Sequence, residues 1–162
     1  DGAIYFTDPL YKRPYWTQVI PPDNPRGVYR VTPDGKLSQV AVDLKQPNGI
    51  IGDAENRHLY VADIGDKKTY RYSIDDDGKL TDRTLFCSMG SDGMTIDQQR
   101  NVYLTGKGVT VFDRDGKKLR NIPIPKGWTA NVTFAGPKNQ HLFITAQDSV
   151  FVIKMDVSGL EE

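Results

Sequence analysis

An internal repeat constrains this chain more than any other feature. Four segments share one template: a small or polar residue, an aliphatic, an aromatic, an aliphatic, then Thr or Ala and, in three of the four, Asp or Gly. They are Ala3-Ile4-Tyr5-Phe6-Thr7-Asp8, His58-Leu59-Tyr60-Val61-Ala62-Asp63, Asn101-Val102-Tyr103-Leu104-Thr105-Gly106 and His141-Leu142-Phe143-Ile144-Thr145-Ala146. The aromatic positions Tyr5, Tyr60, Tyr103 and Phe143 lie 55, 43 and 40 residues apart. Turn glycines Gly35, Gly78, Gly116 and Gly159, three preceded by Asp and one by Ser, repeat at 43, 38 and 43. A period of ~40 to 45 residues, built from short β-branched and aromatic runs, predicts an all-β chain of β-propeller blades, each a four-stranded antiparallel sheet. Asp-Gly suits the hairpins because their tight turns need positive φ. A helical repeat would need apolar residues at i, i+3, i+4 and i+7, and no stretch has them.

Each complete unit divides into strands A to D. In the second unit these are residues 48–53, 58–63, 69–74 and 80–87; the third runs from 92 to 124, the first lacks strand A, and the fourth stops after strand C near Met155. That makes about fourteen strands, or three and a half blades, with blade parts at approximately 1–45, 46–88, 89–126 and 127–160. Too few blades to close a ring leave sheet edges open, which proteins normally avoid. A truncated chain is the expectation, one that self-associates or pairs with missing N-terminal blades.

Charge excludes several partners. Lys and Arg number 21 against 21 Asp and Glu, so there is no basic excess of the kind that nucleic acid or an anionic membrane requires. No apolar run exceeds four residues, far short of a bilayer span, and no signal peptide opens the chain. This describes a soluble chain and does not separate a cytoplasmic from a periplasmic or secreted location. Cys87 is the single cysteine, which excludes an internal disulfide; it reads as a small buried hydrophobe.

The repeat also aligns the residues that begin strand A: Asn48, Asp92 and Asn131, which precede the strand B aromatic by 12, 11 and 12 residues. Strand A is innermost in a propeller, so its first residue lies at the mouth of the central channel. Two amide carbonyls and a carboxylate aimed at one axial point would suit Ca²⁺, Mg²⁺ or Mn²⁺. Each residue alone could equally form an Asx turn before its strand.

At these positions the chain resembles a known family, the gluconolactonase, regucalcin (senescence marker protein) and luciferin-regenerating-enzyme group of six-bladed propellers. The matching text is Tyr5-Phe6-Thr7-Asp8-Pro9, Gly27-Val28-Tyr29-Arg30-Val31-Thr32-Pro33-Asp34-Gly35, Pro47-Asn48-Gly49-Ile50, Leu59-Tyr60-Val61-Ala62-Asp63 and Ser91-Asp92-Gly93-Met94-Thr95-Ile96-Asp97. The resemblance implies metal-dependent hydrolysis of a sugar-type lactone, with this chain the C-terminal portion of the enzyme. It makes Asn48 and Asp92 metal ligands and gives Asp92 a second role as catalytic base. Ca²⁺ is the implied cofactor, with Mg²⁺, Mn²⁺ or Zn²⁺ as alternatives. The family's Glu ligand and a further substrate-contacting Asn have no counterpart here. A non-catalytic propeller segment serving as a binding or assembly scaffold is the competing reading, since propellers host many functions.

Strand direction places further candidates on the ligand face. The connection from Pro9 to Arg26 is long, holds five of the ten prolines together with Tyr11, Tyr15 and Trp16, and reads as a lid or substrate wall. Trp16, Trp128 and Asn131 are the candidate lactone contacts; either tryptophan could instead pack beneath its own loop. Asp8 and Asp63 read as turn or hydrogen-bonding residues. His58 and His141 open strand B on the opposite face. Asp75-Asp76-Asp77-Gly78 reads as a solvated hairpin, lacking the spaced ligands of a calcium loop. No phosphate-binding glycine loop and no nucleophile elbow are present.

Overall fold

The computed structural model describes residues 2–11, 13–17 and 26–160. Among these residues there are fourteen strands and one 3-10 turn, at Pro137–Asn139, and no helix among them is long and apolar enough to cross a membrane. The first sheet is β1 (Ile4–Asp8), β2 (Gly27–Val31) and β3 (Leu37–Ala41). The second is β4 (Pro47–Asp53), β5 (His58–Asp63), β6 (Lys68–Ile74) and β7 (Leu80–Cys87). The third is β8 (Met94–Ile96), β9 (Val102–Gly106), β10 (Gly108–Phe112) and β11 (Lys118–Ile122), and the fourth is β12 (Asn131–Ala135), β13 (His141–Ala146) and β14 (Ser149–Lys154). Every pairing is antiparallel between sequence neighbours. The inner strand β8 lies beside both β4 and β12, and β4 lies beside β1. This is about three and a half blades of a β-propeller.

Burial explains the strand sequences. Leu59 and Val61 of β5, with Tyr72 of β6, face a core shared with the first sheet through Val28 and Ala41. Tyr60 and Ala62 face the other way, onto Phe86, Leu104 and Phe112. Because both faces are covered, β5 and β9 read as continuous apolar runs. The first and fourth sheets cover one face each, so β1, β12 and β14 alternate between buried or half-buried and exposed positions. The template aromatics Tyr60 and Tyr103 wedge between sheets, meeting Phe86 and Phe134 edge-on at 5.0 and 5.2 Å between ring centres.

The hairpin glycines divide. Gly35, Gly78 and Gly116 have φ of 84°, 77° and 81° and close the C-to-D turns. Gly159, expected as a fourth turn of this kind, is not one. It forms a bridge with Asp97, its N–H donates to Asn139 O at 2.8 Å, and an added Cβ would lie 2.3 Å from the Phe134 Cβ. After β14 the chain crosses back, with Leu160 N–H donating to Ile96 O at 3.0 Å, so close approach rather than turn geometry requires this glycine.

At the far end of the inner strands a charge is buried between sheets. Asp53, 1% exposed, accepts from Arg100 Nε at 2.9 Å and from Asn56 Nδ2 at 2.8 Å, and Arg100 also pairs with Glu55. This ties the second sheet to the turn between β8 and β9. Cys87 is buried, and burial pushes its thiol from the ordinary 9.0 to about 11. The folded state therefore holds the proton more tightly, and this contribution to stability is lost as pH rises from 9 towards 11. At neutral pH the thiol is expected to resist an aromatic disulfide reagent until denaturant unfolds the chain. Stoichiometric labelling of the folded protein would contradict this placement.

Candidate functional site

Asn48 lies where β4 departs from regular pairing with β5, between Pro47 and Ile50. Such an irregularity re-aims a side chain. Its backbone is braced from both sides: Thr7 Oγ1 donates to Asn48 O at 2.7 Å, and Gly49 N–H donates to Ser91 O at 3.0 Å. Asp92 is held through its neighbours. Ser91 is buried, its Oγ accepts from Thr105 N–H at 2.7 Å, and Gly93 N–H donates to Thr105 Oγ1 at 3.0 Å. A Cβ on Gly93 would lie 2.2 Å from Asn131 Oδ1 and 2.7 Å from Asn131 Cα. Only glycine lets the third and fourth sheets approach so closely at the mouth.

The side chains then meet. Asn48 Nδ2 donates to Asp92 Oδ1 at 2.8 Å and to the Tyr11 hydroxyl at 2.6 Å. Trp128 Nε1 donates to Asp92 Oδ2 at 3.0 Å. Asn131 stands alongside, exposed, with its Oδ1 accepting from Val132 N–H at 2.8 Å. Among the described residues no three His, Cys, Asp or Glu side chains gather as metal ligands. Asn48 turns its amide N–H, not its oxygen, to Asp92 here; with that amide rotated, an amide oxygen and a carboxylate would form a hard donor pair of the kind that fits a divalent cation such as Ca²⁺. Asn48 Oδ1 and the Asp92 carboxylate are the groups that could hold it.

A sequence profile of the SMP-30/Gluconolactonase/LRE-like region matches residues 1–148. The chain belongs to this family. It is 32% identical to a gluconolactonase of Zymomonas mobilis, over 98% of this chain and 49% of that protein. The structure of a gluconolactonase from Xanthomonas campestris superposes with a TM-score of 0.81 at 35% identity, covering 99% of this chain and 54% of that one. A calcium-binding regucalcin from Agrobacterium tumefaciens shares the fold, with a TM-score of 0.74 at 23% identity over 84% of this chain and 54% of that one. The chain spans about half the length of the curated relatives it matches.

Within this SMP-30/gluconolactonase chain the other candidates fall in different places. Trp16 is exposed on residues 13–17, and its side chain makes no hydrogen bond among the described residues; only its backbone N–H is bonded, to Arg13 O at 3.0 Å. The lid expected over the connection from Pro9 to Arg26 rests partly on residues 12 and 18–25, which lie outside the described residues. Asp63 is a loop organiser: its carboxylate accepts from the backbone of Lys45 at 2.7 Å and of Gln46 at 2.8 Å. Asp8 accepts from Leu10 N–H at 3.2 Å, as a turn residue does. His58 lies opposite Asp53 in the β4–β5 ladder at the far end of the second sheet, and burial with the Arg71 charge pushes its imidazole below the ordinary 6.5. Asp75 closes the β6–β7 hairpin, its Oδ1 accepting from Asp77 and Lys79 N–H.

Sequence reasoning missed the hydroxyls. Thr7 and Thr105 reach the carbonyls of Asn48 and Ala130 in the next sheet, and Thr145 Oγ1 accepts from Asn131 N–H at 3.0 Å. The signal was present in the template, whose fifth position is Thr in three repeats. Tyr11, seen only as one aromatic of a long loop, touches Asn48 directly.

Proposed function

We propose that this chain is the C-terminal portion of a divalent-metal-dependent hydrolase of sugar-type lactones and carries two of its metal ligands, Asn48 and Asp92. The observation that carries the reading is the 2.8 Å hydrogen bond from Asn48 Nδ2 to Asp92 Oδ1, made where two successive inner strands, β4 and β8, begin. Kinship with gluconolactonases gives the substrate class. A bound divalent cation would polarise the lactone carbonyl and lower the pKa of a bound water. Asn48 contributes a neutral oxygen donor and Asp92 the charge. Asp92 also accepts the proton of the attacking water as general base. Asn131, exposed beside Gly93, offers an amide N–H₂ to substrate hydroxyls, and the exposed faces of Trp128 and Trp16 offer stacking surfaces to a sugar ring.

A pH-indicator assay on glucono-δ-lactone tests this, with the 162-residue chain and the full-length gene product each supplied with Ca²⁺, Mg²⁺, Mn²⁺ or Zn²⁺. Metal-dependent turnover by the full-length product is expected, with the chain alone barely above spontaneous hydrolysis, because loss of positioning costs on the order of 10²-fold. A full-length product inactive across a broad lactone panel would instead favour the scaffold reading.

A further inference from the structure

Trp128 is half exposed yet tightly placed. On one side, Lys126 Nζ pairs with Asp148 at 2.6 Å and Gly127 N–H donates to Gln147 Oε1 at 3.3 Å. On the other, Thr129 is fully buried: its N–H donates to Gly106 O at 2.9 Å, and its hydroxyl lies 2.7 and 2.6 Å from the carbonyls of Gly106 and Gly108. The segment is therefore anchored to β9 and β10 at the residue next to the indole. That anchoring delivers Nε1 to Asp92 Oδ2, the carboxylate oxygen that Asn48 does not contact; Asn48 Nδ2 donates to Oδ1.

We propose that Trp128 is a positioning residue for Asp92: its indole N–H fixes Oδ2, so that Oδ1 is presented to the place where a divalent cation, on rotation of the Asn48 amide, would replace the Asn48 Nδ2–H. The inference rests on the reading of Asn48 and Asp92 as cation ligands. It gives Trp128 a role different from the sugar-stacking wall, because the donor edge of the ring acts on the carboxylate while a wall would use its face. An indole N–H is donor only and does not titrate, so it can bond to a carboxylate oxygen without competing for the cation. Carboxylate ligands are normally fixed by such partners, and removing one costs about 10- to 100-fold in metal affinity.

Terbium(III), which takes the oxygen ligands of calcium and emits when a nearby indole is excited, separates the outcomes. Trp16 and Trp128 are the two tryptophans, so W16F and W128F assign the donor. Sensitised emission is expected from the wild-type chain and from W16F and not from W128F. Calorimetric titration of Ca²⁺, which needs no indole emission, is expected to show at least about tenfold weaker binding by W128F. Trp128 is 46% exposed and Thr129 anchors its segment independently, so W128F is expected to unfold at the wild-type temperature. Emission retained in W128F, or Ca²⁺ affinity within about twofold of wild type, would overturn the positioning role and leave the ligand assignment standing. A wild-type chain that binds neither ion would overturn both.

Discussion

Replacing Asp92 with alanine in the full-length gene product is expected to lower kcat/KM for lactone hydrolysis by about 10³-fold or more, a loss of roughly 4 kcal/mol of transition-state stabilisation. Among the described residues Asp92 is the one carboxylate in contact with Asn48 and Trp128, so its removal takes away the charge of this donor set. Asp92→Asn separates charge from shape. It keeps the volume and an oxygen for the Trp128 indole, and turns an amide N–H₂ against the Nδ2 of Asn48, donor facing donor. It is expected to be as inactive as alanine while folding normally, since Asp92 is only half buried. Near-wild-type turnover by either variant would place the chemistry elsewhere.

The second large effect concerns stability. Gly35, Gly78 and Gly116 occupy the same turn of successive repeats with nearly the same positive φ, but their surroundings differ. A Cβ on Gly35 would meet nothing within 4 Å; on Gly78 it would meet the Arg30 guanidinium at 2.4 Å; on Gly116 it would lie 1.8 Å from the Phe86 carbonyl oxygen. Alanine at Gly35 is expected to cost only the left-handed backbone conformation, about 1 kcal/mol. At Gly78 the Arg30 side chain can swing aside at a modest further cost. At Gly116 the collision is with backbone of the second sheet, so the hairpin must lift from it and lose packing. A loss of about 3 to 4 kcal/mol is expected, roughly 10 °C in Tm for a chain of this size. Urea midpoints of the three variants give the order, and equal losses at Gly35 and Gly116 would show that the sheets do not meet there.

These same glycines show what the sequence can and cannot reveal. The period of the Tyr5, Tyr60, Tyr103 and Phe143 template carried the strands nearly to the residue, because in a repeat each unit checks the others. In the second sheet the expected strands 48–53, 58–63, 69–74 and 80–87 are found at Pro47–Asp53, His58–Asp63, Lys68–Ile74 and Leu80–Cys87. Gly159 fitted the spacing and failed, because spacing does not register that the chain leaves the fourth sheet to bond with Ile96. Asp53 and Arg100, 47 residues apart, gave no local pattern that would pair them.

At the mouth, alignment of strand A starts was enough to bring Asn48 and Asp92 together, since equivalent positions of adjacent inner strands are neighbours. It could not foresee that Trp128 bonds to Asp92. That contact depends on a connecting segment outside the repeat template, aimed by the buried hydroxyl of Thr129. Nor could it place Tyr11, whose loop has no counterpart in the other repeats.

Calorimetric titration of Ca²⁺ into the chain and into its Asp92→Ala variant tests most directly whether Asn48 and Asp92 form one cation site. With a single carboxylate in the donor set, weak binding near 10⁻³ M is predicted for the wild type, because affinity follows the number of charged ligands and the rigidity of the site. The variant is predicted to give no binding heat. Sub-micromolar affinity, or affinity that Asp92→Ala leaves unchanged, would contradict the account.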